Sequence, residues 1–261
     1  MSVADHISPH DRGLLLGDGL FETVLVVDGK PDGLAQHLAR LTMGCGKLGL
    51  PPPEATDLDQ KLAKALARAP AGRAALRITL AAGPGGRGLE RAAMIKPTLI
   101  AQISPAPIWE TPARLITSTL RRNETSPTSR LKTLSYLDNV LARREALSLG
   151  GDEALMLNSR GEIACAAAAN VFWLKGRALH TPALACGVLA GIMRARVMAA
   201  APGLGLVVNE VAQPRSTLND AEAIFLTNSL IGLRPVSDLD GRVCAGSLLL
   251  ASLAAACEVR D

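Results

Sequence analysis

The chain has 261 residues, enough for one large domain or two lobes around a real core. Hydrophobic residues make up 48% of it but aromatics only 2%, so that core has to be built from Leu, Ala and Val. The net charge of +4 is spread along the chain without a basic block, which argues against a nucleic-acid footprint.

Residues 20–27 are rich in β-branched side chains and end at Asp28-Gly29, which predicts a strand entering a hairpin. Leu34, Leu38, Leu41, Cys45 and Leu48 recur at helical spacing until Gly49 and the prolines from Pro51. Residues 57–69 repeat the pattern with Leu58, Leu62 and Leu66, ended by Pro70. Strand-like runs follow at 75–81 and 98–103, separated by a glycine-rich turn. The proline-rich stretch 105–112 reads as a connection between lobes, giving lobes at 1–108 and 114–261 joined by 109–113.

Beyond it a strand at 113–119 leads into a polar loop at 121–128, and a helix is expected over 135–147. The apolar residues of that helix are Leu137, Val140, Leu141 and Leu147. Strands at 154–157, 171–174 and 179–181 precede a helix at 191–200. Strands at 206–209 and 223–227 and a helix at 247–258 complete the series. Strands and helices interleave without a regular βαβ repeat, which predicts an α+β protein.

Several chemistries find no support. The five cysteines are scattered and never spaced C-x-x-C, so they read as reduced, buried thiols. His6, His10, His37 and His180 are too dispersed to suggest a metal site, and none is expected. The first 13 residues lack a signal peptide's apolar run, and the run 245–257 is too short to span a bilayer. A soluble, cytoplasmic protein is expected. Gly83-Pro84-Gly85-Gly86-Arg87-Gly88 formally matches G-x-G-x-x-G, but Pro84 removes an N–H and no helix opens behind it. It reads as a loop between strands, with Arg87 at its tip.

Six phrases in order carry a stronger signal. They are 17–23 (GDGLFET), 37–41 (HLARL), Leu131-Lys132-Thr133, Asn170-Val171-Phe172-Trp173, 189–194 (LAGIMR) and 225–229 (FLTNS). Together, from Asp11-Arg12-Gly13 to Asp240-Gly241-Arg242, they resemble the class IV aminotransferases, the fold-type IV pyridoxal-phosphate (PLP) enzymes. The resemblance implies a two-lobed, D-amino-acid aminotransferase-like α+β fold, with a small N-terminal lobe, a larger PLP-binding lobe and a homodimer.

The resemblance also implies roles. Lys132 would carry the cofactor and then serve as general base. Its apolar neighbours Leu131 and Leu134 favour desolvation, which frees a lysine amine at neutral pH. Only seven basic side chains are lysine: Lys30, Lys47, Lys61, Lys64, Lys96, Lys132 and Lys175. Arg40 would neutralise the cofactor phosphate, with donors from Gly191, Ile192 and Met193 at a helix start and from Thr227, Asn228 and Ser229. Met193 stands where the family usually has Thr. Arg87 would bind a substrate carboxylate, although Leu89 replaces the usual aromatic or His two residues on.

One departure bears on the reaction. Five residues before Asn170 the family places a glutamate at the cofactor's ring nitrogen, and this chain has Cys165. A neutral thiol cannot hold that nitrogen protonated as a carboxylate does, and Glu162 is out of register to replace it. A shallower electron sink favours an elimination over a full transamination. The phrases at 17–23 and 227–230 also resemble aminodeoxychorismate lyases more than branched-chain enzymes. The resemblance therefore implies a small, amino-acid-type substrate and a lyase that releases pyruvate from 4-amino-4-deoxychorismate. An aminotransferase for D- or branched-chain amino acids and an inactive PLP-binding homologue are the alternatives.

Overall fold

The computed structural model describes residues 7–258, so the first part of the N-terminal segment read above as lacking a signal sequence lies outside the described residues. The chain forms two compact units. One runs up to Pro107 and includes Leu131–Ser135; the other comprises Ile108–Arg130 and the chain from Tyr136 onward. Sequence order would keep residues 131–135 with the expected lobe 114–261, yet this short segment, which carries Lys132, groups with the first unit.

The first unit contains α1 (Arg12–Leu16), β1 (Gly19–Val27), β2 (Lys30–Pro31), α2 (Leu34–Leu48), α3 (Ala55–Leu66), β3 (Arg73–Ala81) and β4 (Thr98–Pro105). Its sheet is antiparallel in the order β2-β1-β3-β4. Asp28 and Gly29 both take positive φ, 47° and 80°, which matches the primed turns that suit a two-residue hairpin. Leu41 and Cys45 of α2 and Leu58 and Leu62 of α3 bury against Val24, Leu76 and Ile78 of the sheet. The helical spacing read from the sequence is the stripe that packs here.

The second unit contains β5 (Ala113–Arg122), α4 (Leu137–Ser148), β6 (Glu153–Asn158), β7 (Ile163–Ala166), β8 (Asn170–Lys175) and β9 (Ala178–Pro182). It continues with α5 (Ile192–Ala200), β10 (Val207–Val211), β11 (Ala223–Asn228), β12 (Gly232–Leu239), β13 (Arg242–Val243) and α6 (Leu248–Cys257). The sheet runs β10-β9-β8-β11-β12-β5-β6-β7, with β13 beside β12. Three pairs are parallel (β9–β10, β5–β12, β5–β6) and the others along the sheet are antiparallel. The sequence pattern misses three strands of this unit: β7, β12 and the two-residue β13. Strand β7 is short and alanine-rich, and β12 contains Pro235, so neither carries the usual β-branched signal.

Helix α4, expected over 135–147, is present at Leu137–Ser148 but does not bury its large apolar side chains. Asn139, Ala142 and Ala146 are buried instead. Leu137 remains 67% exposed and Val140, Leu141 and Leu147 also face outward. Small alanines let the helix approach β5 and β6 closely, which turns the leucine stripe away from its own sheet. Among the described residues no helix is long and apolar enough to cross a membrane.

Candidate active site

Lys132 sits on a short extended segment pinned to β1. Its carbonyl accepts from Phe21 N at 2.9 Å, Leu134 N donates to Gly19 O at 2.9 Å, and Thr133 bridges Leu20. The two neighbours of Lys132, Leu131 and Thr133, are buried, while Lys132 itself is half-buried. Its ammonium nitrogen lies 4.1 Å from the centroid of the Phe21 ring. Burial is the main cause that lowers the Lys132 pKa to about 7; the Arg40 charge adds to it, Glu22 opposes it, and Arg77 lowers it slightly further. The amine is therefore partly uncharged at neutral pH, as a nucleophile and general base needs.

The charges around Lys132 form a network within the same unit. Glu22, 1% exposed, projects from β1. Arg40 of α2 donates from Nε to Glu22 Oε1 at 2.8 Å and from Nη2 to Oε2 at 2.6 Å. Fully buried His37, one turn earlier on the same helix, lies 2.6 Å from Oε2 through Nδ1. Burial alone would push Glu22 up, but the hydrogen bonds from Arg40 and His37 outweigh it and hold its carboxyl below the usual range. An ionised carboxylate only accepts, so His37 Nδ1 is the donor. Arg40 is thus fixed by a bidentate pair rather than lying on a solvated helix face. The sequence reading quoted Glu22 and His37 inside family phrases and gave neither a role. The i, i+3 spacing of His37 and Arg40 on α2, with Glu22 on an apolar strand, is the signal that could have found them.

In the second unit, the donors expected for a phosphate come together through Asn170. Asn170 pairs with Thr227 across β8 and β11, and its Nδ2 donates to Leu189 O at 2.9 Å, just before Gly191. A Cβ at Gly191 would lie 2.0 Å from Asn170 Oδ1, so only glycine fits there. Gly191 caps α5 with no side-chain hydrogen bond to the helix start, leaving the amide dipoles of Ile192 and Met193 at an N-terminus. Thr227 Oγ1 is buried with no hydrogen-bond partner. An orphaned hydroxyl beside an uncapped helix start is the kind of donor set an oxyanion would complete.

Met193 offers its backbone alone, because its side chain is buried with Phe172, Val197 and Phe225. Asn228 builds the turn between β11 and β12, its Oδ1 accepting from Leu230 N and Ile231 N at 2.9 Å each. Ser229 is in that turn.

Cys165 lies in the middle of β7, opposite Met156, and is buried with Ala142, Ala146, Met156 and Val188. Burial pushes its thiol up; Arg122 opposes this and Glu153 adds to it, so the sulfur is a neutral thiol at neutral pH. Glu162 is engaged elsewhere, accepting from Asn158 Nδ2 at 2.7 Å, Arg160 Nη2 at 2.8 Å and Cys186 Sγ at 3.7 Å. Glu153, at the start of β6, is a second buried carboxyl near Cys165; burial raises its pKa despite the Ala154 N–H and Arg143. In the first unit Arg87 is exposed on the loop after β3. No group of three or more His, Cys, Asp or Glu among the described residues is arranged to hold a metal ion.

The first unit thus holds an amine near neutrality and an arginine locked by a carboxylate, and the second an uncapped helix start with an orphaned threonine hydroxyl. Residues 19–239 match the class IV amino-transferase family, and the chain belongs to it. Among its relatives, the aminodeoxychorismate lyase of Bacillus subtilis is 31% identical over 244 residues, covering 90% of this chain and 82% of the relative. The crystal structure of 4-amino-4-deoxychorismate lyase from Pseudomonas aeruginosa superposes with a TM-score of 0.86 at 34% identity, covering 96% of this chain and 93% of that one. A fold IV transaminase from Curtobacterium pusillum gives a TM-score of 0.87 at 28% identity, over 98% and 89% of the two chains.

Proposed function

We propose that this protein is a PLP-dependent lyase that eliminates pyruvate from 4-amino-4-deoxychorismate to give 4-aminobenzoate, the precursor used in folate synthesis. The observation that carries the choice of reaction is the buried, neutral Cys165 thiol in place of the family's glutamate. The likeness to two lyases of that name supports the choice of substrate.

The residues present fit the cofactor. Lys132 would hold it covalently, Arg40 would neutralise its phosphate, and the backbone of Gly191, Ile192 and Met193 with Thr227, Asn228 and Ser229 would complete the anion site. Bound PLP supplies an electron sink for the pair released at the substrate α-carbon. The Lys132 amine, with its pKa near 7, takes the α-proton and returns a proton to the departing fragment. Arg87 would pair with a substrate carboxylate. With Cys165 where the family has its glutamate, this position would offer the ring nitrogen a neutral thiol in place of a carboxylate, which would favour loss of a leaving group over reprotonation at the cofactor. An aminotransferase acting on D- or branched-chain amino acids is the second reading, favoured by the likeness to a transaminase.

The test is pyruvate release from 4-amino-4-deoxychorismate without added keto acid, repeated with Cys165→Glu. The wild type is expected to release pyruvate, and Cys165→Glu to shift the balance toward transamination by about tenfold. Strict dependence on a keto-acid acceptor would establish the aminotransferase instead.

A homodimer in the cytoplasm belongs to the same reading. The exposed Leu137, Val140 and Leu141 of α4 form an apolar stripe that a second copy can cover. Val140→Asp is expected to lower the mass seen by light scattering from dimer to monomer; an unchanged mass would remove α4 from the interface.

A further inference from the structure

Two of the family phrases, Asp11-Arg12-Gly13 and Gly17-Asp18-Gly19, have no part in the reaction described above, yet their side chains converge on the glycine-rich loop that carries Arg87. Arg12 is buried and spreads its guanidinium over three consecutive carbonyls of that loop. Its Nη1 donates to Gly88 O at 3.2 Å and to Glu90 O at 2.8 Å, and its Nη2 donates to Leu89 O at 3.0 Å. The remaining donor, Nε, reaches Asp18 Oδ2 at 3.0 Å.

Asp18 closes the clasp from the other side. It accepts from Arg91 Nε at 2.9 Å and from Arg91 Nη2 at 2.5 Å. Arg91 Nη1 then donates to Leu48 O at 2.6 Å, tying the loop to the end of α2. The base of the loop is held as well, by Arg12 N donating to Gly83 O at 3.0 Å and Thr98 Oγ1 donating to Asp11 Oδ2 at 2.5 Å.

Gly83 and Gly86 take φ of 76° and 73°, and a Cβ on them would lie 1.9 Å from Lys96 O and 2.0 Å from Glu90 O. The loop is therefore folded tightly on itself and clamped from outside. Arg87, at the tip, is exposed, and no described residue pairs with it.

A guanidinium presents several donors in one rigid plane, so it can bind adjacent carbonyls as an ammonium cannot. Asp18 lies between two guanidinium groups and orients both. A loop ordered before the substrate arrives does not have to be ordered by it, which lowers the cost of binding.

We propose that Arg12, Asp18 and Arg91 are positioning residues that hold the Arg87 loop in its binding conformation, so that Arg87 meets a substrate carboxylate without first ordering the loop. This rests on the reading of Arg87 as the carboxylate-binding residue of the proposed lyase.

The test combines kinetics with proteolysis. Asp18→Asn and Arg91→Gln are each expected to raise KM for 4-amino-4-deoxychorismate about tenfold, with kcat changed less than about twofold. In an Arg87→Gln background the same substitutions are expected to add less than about a twofold change in KM, because the clasp acts through Arg87. Trypsin nicking after Arg87, followed by mass spectrometry on the chain without substrate, is expected to be at least about tenfold faster in both variants. Arg12→Lys, which keeps the charge and loses the planar fork, should behave like them. Multiplicative effects in the Arg87→Gln background, or a fall in kcat at unchanged KM, would overturn the proposal. So would nicking at the wild-type rate. If the wild type releases no pyruvate, the reaction assigned above fails, and the nicking rates alone decide whether the clasp exists.

Discussion

The two compact units hold their candidate residues in chemically opposite settings. Around Lys132 the first unit gathers full charges: Glu22, Arg40 and Arg77 act on one amine, and Glu22 is itself pinned by Arg40 and His37. The corresponding residues of the second unit are neutral: a thiol, a threonine hydroxyl and the backbone of a helix start. Charges set a protonation state, whereas neutral donors set a shape. In the proposed reading the first unit would tune a base, and the second would receive an anion by geometry with little change in proton occupancy.

The comparison breaks most visibly at Glu22. Glu22→Gln leaves the Arg40 guanidinium facing a neutral amide in a buried place, and a broken buried pair of this kind costs about 3–5 kcal/mol. Urea unfolding of the chain without cofactor should show that loss. Glu22 also raises the Lys132 pKa, so the same variant should move the amine's titration further down. A loss within about 0.5 kcal/mol would mean that the network adds nothing to the fold.

The smallest effect is expected in the second unit. Thr227→Val replaces an unpartnered buried hydroxyl by a methyl of similar size, which should change stability by less than about 1 kcal/mol without cofactor. The same change should weaken cofactor binding, measured by fluorescence titration with PLP. A large destabilisation without cofactor would show that the hydroxyl already has a partner, and the contrast between the two units would lose its sharpest example.

Much of this was legible in the sequence, and the failures have physical causes. The stripe Leu34, Leu38, Leu41, Cys45 and Leu48 and the Asp28-Gly29 turn could be read directly, because both follow from local periodicity and turn chemistry. The span of helix α4 could be read too, but the face it buries could not: alanines, not its leucines, make the contact with the sheet. Strand β7, which carries Cys165, gave no signal, since alanines neither favour strands nor alternate in polarity. Lys132 was visible only through its phrase. Its grouping with the first unit depends on a β1 bridge that spans more than a hundred residues of chain. The roles of Arg12, Asp18 and Glu22 likewise depend on partners distant in sequence.

Burial of Lys132 has a cost that depends on pH. Its folded pKa is near 7 and the ordinary value is 10.5, so the unfolded chain binds more protons between these limits. Stability therefore rises with pH from about 7 to about 10.5 through this group, and the penalty is fully present below 7. The most direct test is the pH dependence of Lys132 modification by trinitrobenzenesulfonate in the cofactor-free protein, followed by peptide mapping. A midpoint near 7, shifted downward in Glu22→Gln, is the result this account predicts. A midpoint near 10, unchanged in that variant, would show an ordinary solvated lysine and contradict its place as the base.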